Sequence, residues 1–156
     1  MKLSKNDDIK LNIDSLTSEG SGIGRFDGFA VFVRGVVPGD EVIAHIIKCS
    51  KNYAIGVVKD IIKPSKFRIE SDCPVSSKCG GCSFRNVSYD EELRYKKGRV
   101  QDALERIGKL DIEVEEIIGA DKCSHYRNKA QYPVSICDGE LFAGFYAYKS
   151  HRIICN

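Results

Sequence analysis

The sequence has no long apolar run, and its first ten residues, MKLSKNDDIK, lack the apolar centre of a signal peptide. We therefore expect a cytoplasmic protein with no membrane partner. The formal net charge is only +2, which argues against a polybasic arm but allows a local basic face. With 156 residues, of which 42% are hydrophobic, the chain can bury one core or two small ones.

Cysteine, in contrast, is abundant, and three of the seven cysteines lie within ten residues. The stretch Cys73-Pro-Val-Ser-Ser-Lys-Cys79-Gly-Gly-Cys82 has the spacing of a ligand loop, because such thiolates can converge on one metal ion or cluster. Thiols in a reducing compartment are more often ligands or buried side chains than disulfides. The loop therefore predicts a metal centre on Cys73, Cys79 and Cys82, completed by a fourth ligand.

The identity of that centre is left open by the residues alone. A structural zinc site usually needs a second ligand pair, which is missing as a C-x-x-C motif, although Cys123 with His125, or Cys137, could supply it. Cys-Gly-Gly-Cys also has the form of a redox dithiol, but that interpretation leaves Cys73 without a role. We favour an iron-sulfur centre over these two alternatives.

Short β-branched runs recur between glycine-bearing turns in the first 62 residues, which is typical of a small all-β unit. This pattern predicts a five-stranded, closed or partly closed barrel of the OB type. Pro38-Gly39-Asp40 has turn chemistry within it. The runs are residues 9–16, 29–33, 42–47 and 53–62.

The string EGSGIG at Glu19–Gly24 is similar to loops that bind dinucleotides or S-adenosylmethionine. Such a loop must end a strand and open a helix, whose first amides hold the ligand. Here Arg25–Val33 follows and has the pattern of a turn and a strand. We therefore predict a barrel turn at Glu19–Gly24 and no cofactor loop.

One long helix is predicted after the cysteine loop. Ser88 can cap it, Glu91 completes a capping box, and Gly108 supplies the stop. Basic residues crowd the first half of its outer surface, where a solvated face is the simpler interpretation. Its apolar stripe is Leu93, Val100, Ala103, Leu104 and Ile107.

The remaining sequence predicts an antiparallel sheet. Residues 113–118 form a candidate strand, and 126–136 pairs with 140–148 across the hairpin dipeptide Asp138-Gly139. Basic and aromatic residues interleave here, which suits phosphate contact and base stacking in single-stranded RNA, although an ordinary amphipathic hairpin is the alternative. The predicted RNA contacts are Arg127, Lys129, Lys149 and Arg152.

Taken together, these motifs resemble the RNA (uracil-5-)-methyltransferases that modify 23S ribosomal RNA. The resemblance covers essentially the whole chain. Its motifs, in order, are Glu19–Gly24, Val31–Val33, Val37–Asp40, the three loop cysteines, Tyr126–Lys129, Tyr132–Val134, Gly144–Tyr146 and Ser150-His151.

The resemblance implies a TRAM domain at residues 1–63, an OB-like RNA-binding barrel, and an iron-sulfur central α+β domain at 64–156 that is incomplete at its C-terminal end. It further implies a 4Fe-4S cluster whose fourth ligand follows the Ser150-His151 segment, at Cys155 or beyond Asn156. The S-adenosylmethionine-binding catalytic domain of the family has no counterpart in these residues. We thus expect the RNA-recognising half of a ribosomal RNA-processing enzyme, monomeric and bound to RNA.

Two rival functions follow from the same residues. A free-standing RNA-binding module with structural zinc needs only the barrel and the cysteine loop, and metal analysis separates it from the enzyme fragment. A ferredoxin-like electron carrier would show a compact four-cysteine run and an acidic surface, and the sequence has neither.

Overall fold

The computed structural model describes residues 3–154. Strands dominate the first half, and a helix and a hairpin follow. The first sheet consists of β1 (Asp8–Asn12), β2 (Ser15–Leu16), β3 (Gly22–Phe26), β4 (Phe29–Arg34), β5 (Glu41–Cys49) and β6 (Tyr53–Lys63). The second half contains α1 (Tyr89–Asp102), a π-helical turn at Ala103–Ile107, and a hairpin of β7 (Val134–Cys137) and β8 (Glu140–Ala143).

The fold class, mainly β followed by α+β, is confirmed, but the strand count of the predicted barrel is wrong. The sheet has six strands in the order β1-β5-β6-β4-β3-β2, with β4 and β6 parallel and the other pairs antiparallel. The sheet is not closed into a barrel, although β3 curves towards β1. A side chain at Gly24 would collide with the carbonyl of Asn12, so this glycine permits the approach. Glycine in β3 also hid that strand from pattern analysis.

The main core lies on one face of this sheet. Val31 and Val33 of β4 and Val42, Ala44 and Ile46 of β5 are fully buried, and the residues between them are partly exposed. This period of two is what a half-buried strand requires. The core therefore belongs to the β unit alone.

A second, smaller cluster joins the β unit to the residues that follow it. Leu16, Val37 and Val87 are buried together, and Phe67, Phe84 and Tyr95 pack against them. The Tyr95 hydroxyl donates to the carbonyl oxygen of Leu16 at 2.8 Å. Burial raises the pKa of Tyr95, which keeps this hydroxyl protonated as a donor.

A buried ion pair strengthens the same junction. Asp40 is fully buried, and its carboxylate accepts hydrogen bonds from the backbone N–H groups of Val37 at 2.7 Å and Ser65 at 2.8 Å. Arg68 donates from Nε at 3.1 Å and from Nη2 at 2.5 Å. Burial raises the pKa of Asp40, but the bonds from Arg68, Ser65 and Val37 outweigh it, so the net pKa lies below the usual value.

The predicted helix is present and has the predicted ends, but its N-terminus is not capped as predicted. It begins after Ser88, whose side chain makes no capping hydrogen bond, so the capping box is wrong. The buried Glu91 instead pairs with Arg94 at 2.5 Å. The helix continues as a π-helical turn that ends before Gly108, as predicted.

The C-terminal elements are shorter than the sequence pattern suggests. Residues 113–118 are not a strand, and the hairpin covers only Val134–Cys137 and Glu140–Ala143. Its turn is confirmed: Asp138 and Gly139 have φ values of 51° and 85°, as a tight hairpin turn requires. Most side chains from 109 to 148 are exposed, so this part has little core of its own.

Candidate nucleic-acid interface and cysteine loop

The cysteine loop, residues 73–82, is built from successive turns. The backbone N–H of Cys73 donates to the Ser71 hydroxyl at 3.2 Å, and that of Cys79 donates to the Val75 carbonyl at 2.8 Å. Cys73 and Cys79 are partly buried, and Cys82 is exposed. The loop backbone is therefore ordered by local hydrogen bonds.

The tip of the loop contacts a segment that lies far away in the sequence. Cys79 forms an isolated antiparallel bridge with Ala147, and the N–H of Gly80 donates to the Tyr146 carbonyl at 2.9 Å. A Cβ atom on Gly80 would lie 3.1 Å from both the Tyr146 oxygen and the Tyr148 Cα. Glycine at position 80 therefore allows the two backbones to meet.

Arg34, at the end of β4, joins the β unit to this contact. Its Nη2 donates to the Cys79 carbonyl at 2.9 Å, and its guanidinium carbon lies 3.7 Å from the centroid of the Tyr148 ring. Sequence analysis missed Arg34, because an arginine that ends an ordinary strand has no distinguishing pattern. Only the tertiary contact identifies it.

The glycine-rich turn of the β unit also touches Ser83, the residue that follows the cysteine loop. Gly20 has φ of 79°, and a Cβ atom there would lie 2.5 Å from the Ser83 carbonyl oxygen. The turn is closed by the Gly20 N–H donating to the Thr17 carbonyl at 2.9 Å. The turn leads directly into β3, which already begins at Gly22, so only the first part of Glu19–Gly24 is a turn. A strand follows it, in place of the helix that a nucleotide loop needs.

Lys149 and Arg152, two of the predicted RNA contacts, share one turn. The N–H of Ala147 donates to the Arg152 carbonyl at 2.7 Å, which closes the turn. The Lys149 ammonium lies 5.4 Å from the centroid of the Tyr148 ring, so two cations approach one aromatic side chain. We call this group, Arg34, Tyr148, Lys149 and Arg152, the basic-aromatic patch.

Arg127 and Lys129 lie elsewhere, in the exposed stretch that precedes β7. The guanidinium of Arg127 lies 5.9 Å from the Tyr126 ring centroid. Arg127 and Lys129 precede β7 in the sequence, whereas Lys149 and Arg152 follow β8, so the predicted RNA contacts come from two separate segments of the chain.

The aromatic side chains near these groups pack edge to face. The ring centroids of Tyr132 and Phe145 are 5.1 Å apart, and those of Tyr146 and His151 are 5.6 Å apart. Tyr146 is 42% exposed and Tyr132 is 52% exposed. The rings are therefore ordered by their neighbours and still accessible for stacking.

The donor chemistry of the cysteine loop suits a soft metal centre, but the side chains are not gathered into one. The Cys79 Sγ accepts an N–H bond from Gly81 at 3.3 Å, the kind of bond that ligand sulfurs receive. Within residues 3–154, no three Cys, His, Asp or Glu side chains lie close enough to hold a metal ion. Cys123 and His125 are exposed. Cys155 and the Cys137 side chain lie outside what the structure describes.

None of the helices in residues 3–154 is both long and apolar enough to cross a bilayer.

Comparisons with known proteins give a consistent family. The model of the TRAM domain matches residues 6–59. An RNA methyltransferase of Listeria monocytogenes serotype 4b (strain F2365), named as uncharacterized, is 46% identical over 152 residues, which are 97% of this chain and 34% of the relative. A similarly named protein of Halalkalibacterium halodurans is 45% identical over 153 residues, 97% of this chain and 33% of the relative.

Among solved structures, the tRNA (uracil-54, C5)-methyltransferase of Pyrococcus abyssi, in complex with S-adenosyl-L-homocysteine, aligns with a TM-score of 0.41 and 24% identity over 67% of this chain and 22% of that chain. The chain spans about a third of the length of the curated relatives it matches. It contains a TRAM domain and, along nearly its whole length, is homologous to a portion of bacterial proteins named as RNA methyltransferases.

Proposed function

We propose that this chain is the RNA-recognising portion of an S-adenosylmethionine-dependent RNA (uracil-5-)-methyltransferase acting on 23S ribosomal RNA. The observation that carries the proposal is the basic-aromatic patch, where Arg34 of the β unit and Lys149 both approach the Tyr148 ring. Similarity to proteins named as RNA methyltransferases supports it. A TRAM barrel at residues 1–63 and a central domain at 64–156 are part of the proposal.

The patch has the chemistry that single-stranded RNA requires. Lys149 and Arg152 can neutralise phosphates, and the accessible Tyr146 and Tyr132 rings can stack on unpaired bases. Arg34 uses one of its five N–H donors on Cys79, so others remain for a phosphate. Arg127 and Lys129 would extend the contact along the strand.

The methyl transfer itself would take place in the remainder of the enzyme. S-adenosylmethionine would be bound there, and this chain would hold and orient the RNA. The cytoplasmic location and the monomeric state stay predictions.

The test is RNA binding as a function of salt, with two double variants, Lys149→Ala/Arg152→Ala and Arg127→Ala/Lys129→Ala. Each phosphate contact on a single strand contributes about 0.7 to the slope of log affinity against log salt. Each double variant should therefore flatten the slope by roughly 1 to 1.5 on a ribosomal RNA hairpin.

The matched control is Lys5→Ala/Lys51→Ala. Tyr53 pairs with Ala30 and Val57 with Arg34, so the turn holding Lys51 lies at the opposite end of β4 from Arg34. The segment that holds Lys5 lies beside the end of β5 that leads into this turn, because the Cys49 thiol donates to the Leu3 carbonyl oxygen at 3.3 Å. If only this control weakens binding, RNA binds at the end of the β unit opposite Arg34, which would contradict our proposal.

We also propose that Cys73, Cys79 and Cys82 hold a 4Fe-4S cluster, with Cys155 or a residue after Asn156 as the fourth ligand. The spacing and the Gly81 bond to Cys79 Sγ support it. A cluster would stabilise a loop that has little core of its own, because coordination energy becomes folding energy. Its role would thus be structural.

Anaerobic purification tests this proposal. The protein should be brown, contain iron and sulfide in near-equal amounts, and absorb at about 400 nm. Cys79→Ser or Cys82→Ser should bleach it, whereas Cys49→Ser, an exposed cysteine on β5, should not. Stoichiometric zinc without sulfide would instead favour the RNA-binding module with structural zinc.

A further inference from the structure

The β7–β8 hairpin presents one entirely apolar face. Val134 pairs with Ala143, and Ile136 pairs with Leu141, so these four side chains lie on the same side of the hairpin. Val134 is 57% exposed, Ile136 is 71% exposed and Leu141 is 78% exposed. The opposite face carries Ser135 and the half-buried Phe142. The face formed by Val134, Ile136, Leu141 and Ala143 is therefore the more apolar of the two.

An uncovered face of this kind conflicts with the physics of a two-stranded sheet. An isolated hairpin is marginally stable in water and needs a third strand or a packed layer. Strand alternation normally turns the apolar side towards a core. In this hairpin, within residues 3–154, the apolar side faces outward instead, so the covering layer must come from elsewhere.

The chemistry of the face restricts what can cover it. It carries no charge and no aromatic ring, so it offers RNA neither phosphate contacts nor stacking. Four aliphatic side chains expose on the order of a few hundred Å². A stable complex of separate proteins buries about 800 Å² on each partner, which argues against a second copy or a free partner. A tethered segment binds at millimolar effective concentration and needs less area.

We propose that the Val134–Ala143 face is covered by a further segment of the same polypeptide, within the two thirds of the relatives' length that this chain does not span. The inference rests on the proposed function, since it assumes the longer enzyme. The hairpin then docks the RNA-recognising portion onto the remainder of that enzyme through an apolar contact.

The experiment compares the full gene product with the 156-residue chain by hydrogen exchange. Backbone amides of β7 and β8 should exchange at least about tenfold more slowly in the full protein. Ile136→Asp and Leu141→Asp should abolish that protection and lower the melting temperature of the full protein, without lowering that of the 156-residue chain. Ser135→Asp, on the opposite face of β7, is the matched control and should preserve the protection.

Several results would overturn the inference. They are a reading frame that stops at Asn156, equal hairpin exchange in both proteins, dimerisation of the 156-residue chain that Ile136→Asp abolishes, and loss of RNA binding by Ile136→Asp. A methyl-transfer assay on the full protein separates this inference from the proposed function. Transfer with an unprotected hairpin defeats only the docking inference, and a protected hairpin without transfer defeats only the function.

Discussion

Asp40 connects the β unit to the residues that follow it, because its buried carboxylate receives bonds from Ser65 and Arg68. Asp40→Asn leaves the Arg68 guanidinium, only 17% exposed, without its counter-charge. We expect a loss of about 3 kcal/mol in the free energy of unfolding by urea. Asp8→Asn, which weakens the exposed pairs with Lys59 and His45, should lower the free energy of unfolding by less than about 1 kcal/mol.

The Asp40 carboxylate should also affect how the free energy of unfolding changes with pH on the acid side. Because the pKa of Asp40 is lower in the folded than in the unfolded protein, its stabilisation is complete above about pH 4. That stabilisation is lost as the pH falls through the lower folded-state pKa. Urea titrations between pH 2 and pH 6 should show a shallower decline for Asp40→Asn than for the unchanged protein; parallel curves would mean that other carboxylates govern acid unfolding.

Arg34 should control how firmly the cysteine loop is held. Arg34→Ala removes the bond to the Cys79 carbonyl and the stacking on Tyr148. Since one such bond contributes about 1 kcal/mol, exchange of the Gly80 amide should rise by about fivefold. Arg34→Lys, which keeps the charge and loses the planar fork, should behave similarly. Unchanged Gly80 exchange in both variants would show that the loop is held without Arg34.

Two alanine substitutions can test how much the contact between the glycine-rich turn and Ser83 contributes to stability. Gly20 and Gly28 both have positive φ, at 79° and 81°, so alanine costs each about 1 to 2 kcal/mol. Only at Gly20 would the new Cβ atom also meet Ser83, whereas Gly28 has open space around it. Gly20→Ala should therefore lower the urea midpoint more than Gly28→Ala. Equal decreases in the midpoint would mean that Ser83 can move away from the new Cβ atom at no cost in stability.

The elements that sequence patterns predicted are those whose stability is local. Alternating β-branched residues marked β4, β5 and β6, and Asp138-Gly139 marked the hairpin turn. The pattern failed at β3, where glycines are used for close approach, and at residues 113–118, which have strand-forming composition but no pairing partner in residues 3–154. Pairing partners are supplied by the fold and are not encoded locally.

The residues of the candidate site also differ in whether a local sequence pattern could identify them. Lys149 and Arg152 stood out because basic and aromatic residues interleave along the sequence, and the structure places these two in one turn. Their contact with RNA stays a prediction. Arg34 did not stand out, because its partner Cys79 is 45 residues away. The predicted apolar stripe was also misleading, because Val100 of α1 is 52% exposed and Ile107 of the π-helical turn is 84% exposed.

As a whole molecule, the chain should bind RNA without performing chemistry on it. Its glycine-rich loop leads into β3 and offers no helix N-terminus to S-adenosylmethionine. Calorimetry should detect no binding of S-adenosylmethionine, and a tritium-transfer assay on ribosomal RNA should stay at background. A micromolar dissociation constant, equivalent to about 8 kcal/mol of binding free energy, would contradict this account of the Gly20 turn.

The contact of Arg34 with Cys79 and Tyr148 determines the order in which parts of the chain can fold during synthesis. The β unit contains its own core and can fold once Lys63 has left the ribosome, since domains fold as units during translation. The cysteine loop emerges next, but its partners Tyr146 and Ala147 are made much later, so closure of that long loop must wait for them. During that interval the three loop thiols are solvated, and the surface that we propose for RNA binding is completed only afterwards.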